Sequence, residues 1–195
     1  MGLSAAEGAN LLALARDSVR HGLDHGRPLA ARPGVDGWLA QPGACFVSLH
    51  LGHDLRGCIG RTEASARLVD QLLDNAWAAA FRDPRFPPLE EREFEATSIE
   101  VSLLSADEPV DAADEERVLA SLRPGVDGVI VQHDARRATF LPQVWDSIAD
   151  PRAFLAALKK KAGLPEDFWS PGLNVSRYTV TKWAEPEFQL SEERR

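Results

Sequence analysis

The sequence has few cysteines and no long apolar segment. Its 195 residues include only two cysteines, Cys45 and Cys58, which is too few for a disulfide framework and suits a reducing compartment. No stretch comes near the roughly twenty consecutive apolar residues that a membrane-spanning helix needs. The amino terminus also lacks the basic and apolar regions of a secretory signal. We therefore expect a cytoplasmic protein with no membrane segment.

Basic residues are also scarce. The chain has 22 lysines and arginines against 30 acidic residues, a formal net charge of −8. Nucleic-acid binding draws most of its affinity from clustered lysines and arginines, so this composition predicts no nucleic-acid partner. The dense basic run Lys159–Lys161 lies near the predicted end of a helix, where exposed cations suit the helix dipole.

Motifs for common cofactor chemistry are missing as well. The sequence has no glycine-rich phosphate loop followed by Lys-Ser/Thr, no dinucleotide fingerprint and no G-x-S-x-G elbow. His50, His53 and Asp54 are metal-ligand types close together, but no further ligand follows at zinc-site spacing. We predict solvated turn residues there, no metal site and no cofactor.

The patterns that are present predict an α+β fold. A capping box at Ser4 and Glu7 begins a helix that we expect to end near His21. Hairpins outnumber strand–helix–strand successions, so the sheets should be mainly antiparallel with flanking helices. The other predicted elements are a helix ending at Asp83-Pro84, a strand over 98–103, a solvated loop over 107–116, a hairpin over 129–141, a helix from Pro151 and a strand over 175–183.

The most informative stretch is a predicted hairpin. Two alternating runs, 45–51 and 55–60, flank Gly52-His53-Asp54. If that tripeptide is the loop, Leu51 pairs with Leu55. One face is then aliphatic, with Val47, Leu49, Leu51, Leu55 and Ile59. The other is polar, with Ser48, His50, Arg56 and Cys58.

The polar face resembles the surroundings of a reactive cysteine. A thiolate is a good nucleophile or redox relay and is favoured by nearby cations, here Arg56 with the imidazole of His50. Arg56 has the fork geometry for a carboxylate or phosphate, and Gly57 and Gly60 let a ligand or another backbone approach. The alternatives are that Cys58 is a buried small hydrophobe and that Arg56 forms a structural ion pair.

Glu100 is a further candidate. It alternates into the predicted strand beside Ser98 and Ser102, and a carboxylate facing a cleft serves as a general base. The alternative is an exposed carboxylate on a sheet face.

The hexapeptide Leu55-Arg56-Gly57-Cys58-Ile59-Gly60 resembles the signature of the AMMECR domain family, also called protein A of the AmmeMemoRadiSam system. Other segments are similar to that family's blocks in the same order: 83–89, 99–105, 124–128, 140–145 and 161–164. They span most of the chain, from about Gly43 to Trp183. Family members often have threonine after the final glycine, where this chain has Arg61 before Thr62.

The resemblance implies a single domain over 1–195 with two unequal lobes separated by a groove. We expect the smaller lobe at about 43–97 and the larger at about 1–42 plus 98–195. It also implies an intracellular protein that acts in a modification pathway with a Memo-like protein and a radical S-adenosylmethionine enzyme.

Two functions follow from this, and the sequence does not decide whether the protein is an enzyme. In the first, Cys58 is the reactive thiol and, with His50, a catalytic candidate. The groove binds an anionic group at Arg56, and the further binding candidates are Ser48, Gly57, Gly60 and Glu100. In the second, the protein is a non-catalytic module that docks to the same partners.

Overall fold

The predicted α+β fold with antiparallel sheets is confirmed. The computed structural model describes residues 4–186, in which five α-helices accompany two four-stranded sheets. The helices are α1 (Ala5–His25), α2 (Leu68–Phe81), α3 (Glu91–Phe94), α4 (Glu115–Ser121) and α5 (Pro151–Lys161). The strands are β1 (Ala44–Leu51), β2 (Asp54–Gly60), β3 (Thr97–Leu104), β4 (Glu108–Val110), β5 (Gly128–His133), β6 (Arg136–Phe140), β7 (Asn174–Tyr178) and β8 (Val180–Ala184). None of the helices described is long and apolar enough to span a bilayer.

The chain forms two compact units. Among residues 4–186, one unit takes in those up to Leu104 and from Thr181 onward, and the other is Ser105–Val180. Strand β3 is paired with β1 along its whole length and so belongs with the first hairpin.

The first unit is a sheet of order β2-β1-β3-β8 with α1 and α2 packed on it. Ser4 forms the predicted capping box with Glu7, and α1 continues one turn beyond His21 to a left-handed Gly26. The apolar stripes of the two helices pack against the buried side chains of β1 and β3, which form the core of this unit. The core includes Leu11, Ala15, Cys45, Val47, Leu49, Leu72, Ala76, Ile99 and Val101.

The loop of the first hairpin is shorter than predicted. Leu51 pairs with Asp54, and Gly52 has φ +58°, a conformation that suits glycine in a two-residue hairpin loop. The predicted pair Leu51–Leu55 is therefore wrong.

A β-bulge then restores the rest of the predicted register. Pairing shifts between Leu49 and His50, and Arg56 is the extra residue on β2. Beyond the bulge Leu49 pairs with Gly57, and Ser48 pairs with Cys58, as predicted.

The second unit is a sheet of order β4-β7-β5-β6 with α4 and α5. Its core includes Trp145 and Phe154, whose rings stack at 3.7 Å. Strand β4 lies within the segment predicted as a loop. Lys159–Lys161 lie in the last turn of α5, as predicted, and Lys159 is fully buried with its ammonium 3.1 Å from Glu115.

The last predicted strand divides in two. β7 ends at Tyr178 and β8 begins at Val180 in the other sheet. Between them Thr179 exchanges hydrogen bonds with Ser105, whose N–H donates to the Thr179 carbonyl and whose hydroxyl accepts the Thr179 N–H.

Candidate functional site

Strand pairing places a row of polar residues across the first sheet. Ser48 on β1 pairs with Cys58 on β2 and, on its other side, with Glu100 on β3. Paired residues of antiparallel strands project to the same face of a sheet, so a thiol, a hydroxyl and a carboxylate lie side by side. His50 is the next residue of β1 on this face and pairs with Ser98.

The two cysteines lie in different environments. Cys45 is fully buried on the face opposite Cys58, where burial raises the pKa of its thiol to about 11. Cys58 is half-buried, and neither cysteine is in a disulfide. The buried-hydrophobe alternative therefore describes Cys45 and not Cys58.

The polar row ends in an ion pair. Glu100 lies 3.2 Å from the ammonium of Lys182 on β8 and accepts a hydrogen bond from the hydroxyl of Ser102 at 3.4 Å. Its carboxylate is thus already engaged by the protein, although it remains partly exposed.

His50 and Cys58 share a face but are not bonded. His50 lies diagonally across the hairpin from Cys58, because it stands one position along β1 from the Ser48 pair. No hydrogen bond joins the two side chains within residues 4–186.

Arg56 is held by the protein. Its guanidinium donates to both carboxylate oxygens of Glu93, at 2.9 and 3.0 Å. It also donates to the backbone carbonyls of Pro87, at 2.9 Å, and Pro88, at 3.3 Å. Only 9% of the side chain is exposed, and its hydrogen bonds lower the pKa of Glu93. The structural ion pair is the alternative that these contacts support, because the guanidinium is nearly buried and already donates four hydrogen bonds to the protein.

The two glycines of the hexapeptide allow close packing. A Cβ on Gly57 would lie 2.1 Å from the backbone oxygen of Ala79, and one on Gly60 would lie 2.3 Å from the ring of Phe46. At Gly57 it is therefore another backbone, that of α2, that approaches the strand.

Sequence reasoning missed a clamp on the edge of β2. The buried carboxylate of Asp83 accepts the N–H of Cys58 at 2.9 Å, and the guanidinium of Arg85 donates to the Cys58 carbonyl at 3.2 Å. Arg85 also binds Asp83, at 2.9 Å through Nε and 2.6 Å through Nη2. These contacts occupy the backbone groups that an edge strand would otherwise leave open.

The clamp fixes two charges beside Cys58. Hydrogen bonds from Arg85 are the main cause that holds the pKa of Asp83 well below its usual range. The same bonds raise the pKa of Arg85, and the thiol of Cys58 adds to that effect. Asp83-Pro84-Arg85 directly follows a helix, a position typical of an Asx turn, but this local signal does not reveal the partner strand.

The site therefore combines a half-buried thiol, a guanidinium and a row of polar side chains. No group of three or more His, Cys, Asp or Glu residues that could hold a metal ion occurs in the described part of the chain.

The hexapeptide and the segment after α2 are thus bonded to each other, and both lie in a region shared with known proteins. A family model named AMMECR1 matches residues 12–183. The chain belongs to the AMMECR1 family. Its relatives include a protein of Thermofilum pendens, 37% identical over 195 residues that cover 94% of this chain and 92% of the relative. A protein of Methanothermobacter thermautotrophicus is 36% identical over 182 residues, covering 90% and 93%.

A solved structure shares the AMMECR1 fold. The crystal structure of the uncharacterized protein PH0010 from Pyrococcus horikoshii superposes with a TM-score of 0.76 at 30% sequence identity. It covers 95% of this chain and 94% of that chain. The resemblance drawn from the hexapeptide and the blocks is confirmed.

Proposed function

We propose that this AMMECR1-family protein is an intracellular component of a modification pathway in which Cys58 is the reactive thiol. In this proposal the Cys58 thiolate attacks an electrophilic carbon of a substrate on the polar face of the first sheet, and a carbon–sulfur bond forms as the bond from that carbon to a leaving group breaks. Ser48 and Glu100 line that face, and His50 is the titratable group nearest along β1. Gly57 and Gly60 contribute by shaping the strand that carries the thiol.

The observation that supports this proposal is that Cys58 differs in its contacts from its neighbours in the hexapeptide. Arg56 binds Glu93, Gly57 makes room for Ala79, and Ile59 packs against the core. The backbone of Cys58 is fixed by Asp83 and Arg85, yet its side chain is half-buried on a polar face. A fixed backbone under a thiol that is not fully buried is what a positioned nucleophile requires.

The partners in this proposal are a Memo-like protein and a radical S-adenosylmethionine enzyme. They come from the family resemblance, and the free thiols support a reducing, cytoplasmic compartment.

A docking module is the second candidate, and one observation favours it. Leu55, at the tip of the first hairpin, is 39% exposed, and a large apolar side chain in the open suits contact with a partner protein. In this case Leu55→Asp abolishes partner binding, whereas Cys58→Ser leaves it intact. Arg56→Glu is unsuitable for the same test, because Arg56 is part of the fold.

The experiment that tests the thiol compares metabolites of a strain lacking this protein with strains rescued by the wild type, Cys58→Ser or Cys45→Ser. The proposal expects the Cys58→Ser strain to resemble the deletion and the Cys45→Ser strain to resemble the wild type. Full rescue by Cys58→Ser, with the variant folded and expressed, would contradict it.

A further inference from the structure

Arg85 places a cation beside Cys58. Its guanidinium is bonded to the Cys58 carbonyl at 3.2 Å, so it lies at the residue that carries the thiol. It is also 55% exposed, whereas the Asp83 side chain that holds it is only 2% exposed. The ion pair is therefore oriented, with its negative end buried and its positive end toward solvent.

The guanidinium of Arg85 is held in one orientation, and some of its N–H donors are left open. Nε and Nη2 bind the two oxygens of Asp83, and the guanidinium carbon lies 5.4 Å from the ring centroid of Phe86. Nη1 has no acceptor among residues 4–186. A planar fork that is already fixed loses little freedom when it binds a carboxylate or phosphate.

Among the charged residues near β2, Arg85 is the one best placed to bind an anion. Arg56 is nearly buried and already donates four hydrogen bonds to Glu93, Pro87 and Pro88. Glu100, the acidic group on the polar row, is paired with Lys182. Arg61 follows β2, and its charge acts on Asp74 of α2.

We infer that Arg85 recognises a carboxylate or phosphate group on the molecule that reacts at Cys58. The inference rests on the proposed function of Cys58 and gives to Arg85 the anion-binding role that the sequence suggested for Arg56. The substrate is then an anionic electrophile, and Arg85 orients it toward the sulfur.

The test compares two alkylating reagents of similar size on the full chain. Iodoacetate is an anion and iodoacetamide is neutral, so the ratio of their rates at Cys58 cancels the thiolate fraction and the accessibility of the sulfur. Modification is followed site by site by mass spectrometry, with glutathione as the reference thiol. The variants are Arg85→Gln, Arg85→Lys and, as the matched exposed arginine, Arg61→Gln.

The inference expects a ratio above that of glutathione in the wild type. A unit charge about 6 Å away in water changes such a rate about threefold, so Arg85→Gln should lower the ratio by about that factor. Arg85→Lys and Arg61→Gln should retain it, and added salt should reduce it. Equal ratios in the wild type and Arg85→Gln would overturn the inference.

A second measurement needs no variant and covers the case in which Arg85→Gln does not fold. Inorganic phosphate should slow the alkylation of Cys58 in the wild type, and failure to protect would overturn the inference. Failure of the proposed function has a different signature, because Cys58 would then resist both reagents until the protein is unfolded.

Discussion

Arg56→Ala should destabilise the protein while leaving the polar face of the first sheet in place. The substitution removes four hydrogen bonds, two to Glu93 and one each to the carbonyls of Pro87 and Pro88. Breaking a buried ion pair by removing one partner costs roughly 3–5 kcal/mol.

The lower end of that range applies here. The Glu93 side chain keeps 22% of its surface exposed, and the two prolines lie at the surface, so water can replace part of what is lost. We therefore expect a loss of about 3 kcal/mol in the free energy of unfolding. For a chain of this size the midpoint of thermal unfolding then falls by roughly 6–12 °C.

Urea denaturation followed by tryptophan fluorescence measures this loss, since the chain has five tryptophans. The matched control is Arg92→Ala, whose side chain is largely exposed and forms an ion pair with Glu90 at the surface; it should change stability by less than about 0.5 kcal/mol. A double-mutant cycle with Glu93→Ala then isolates the pair. If Arg56→Ala were as stable as Arg92→Ala, the structural role of Arg56 would be refuted.

Three further predictions concern packing and charge. Gly57→Ala should lower the free energy of unfolding by about 3 kcal/mol or more, because its Cβ would meet the backbone oxygen of Ala79 at 2.1 Å. In the control Gly172→Ala the nearest atom lies at 3.5 Å, and the loss should be less than about 0.5 kcal/mol. Equal midpoints of urea denaturation in the two variants would contradict this. Asp83 has a folded-state pKa below its ordinary 3.8, so its ionised form stabilises the protein above that pH, and the stabilisation is lost as the pH falls below about 4. Asp83→Asn should therefore be less stable than the wild type at pH 7 and should lose less stability than the wild type between about pH 4 and 2. Parallel pH profiles of the two proteins would argue against the clamp. Lys159→Met should lower the free energy of unfolding, measured by urea denaturation, by about 2 kcal/mol. This is less than the full cost of breaking a buried ion pair, because the remaining Glu115 is partly exposed. An unchanged midpoint would mean that the buried ammonium does not stabilise the second unit.

Strand alternation, helix caps and proline breaks are local sequence patterns, and the elements that depend on them could be predicted. The alternation of residues 45–51 was enough to place Ser48 opposite Cys58, because one face of the strand is aliphatic and a shifted register would bury polar groups. The capping box at Ser4 and the break at Asp83-Pro84 likewise marked helix ends.

The contacts of Arg56 were beyond such patterns. A bulge at Arg56 depends on a two-residue loop, and Gly52-His53-Asp54 is compatible with loops of two or three residues. The side chain of Arg56 then binds Glu93, which lies 37 positions further along the chain. No local pattern predicts a contact between residues so far apart in sequence.

The same reason explains why Asp83 and Arg85 were missed as neighbours of Cys58. They lie 25 and 27 positions away and come close only because α2 packs across the hairpin. The sequence therefore indicated that a cation accompanies the thiol but assigned that role to Arg56.

Reaction of the native full chain with iodoacetamide, followed separately at Cys58 and Cys45 by mass spectrometry, tests whether Cys58 is a nucleophile. We expect Cys58 to be modified at least as fast as glutathione at the same pH, while Cys45 stays unmodified until urea unfolds the protein. Protection of Cys58 equal to that of Cys45 would contradict the claim that this sulfur is available for chemistry.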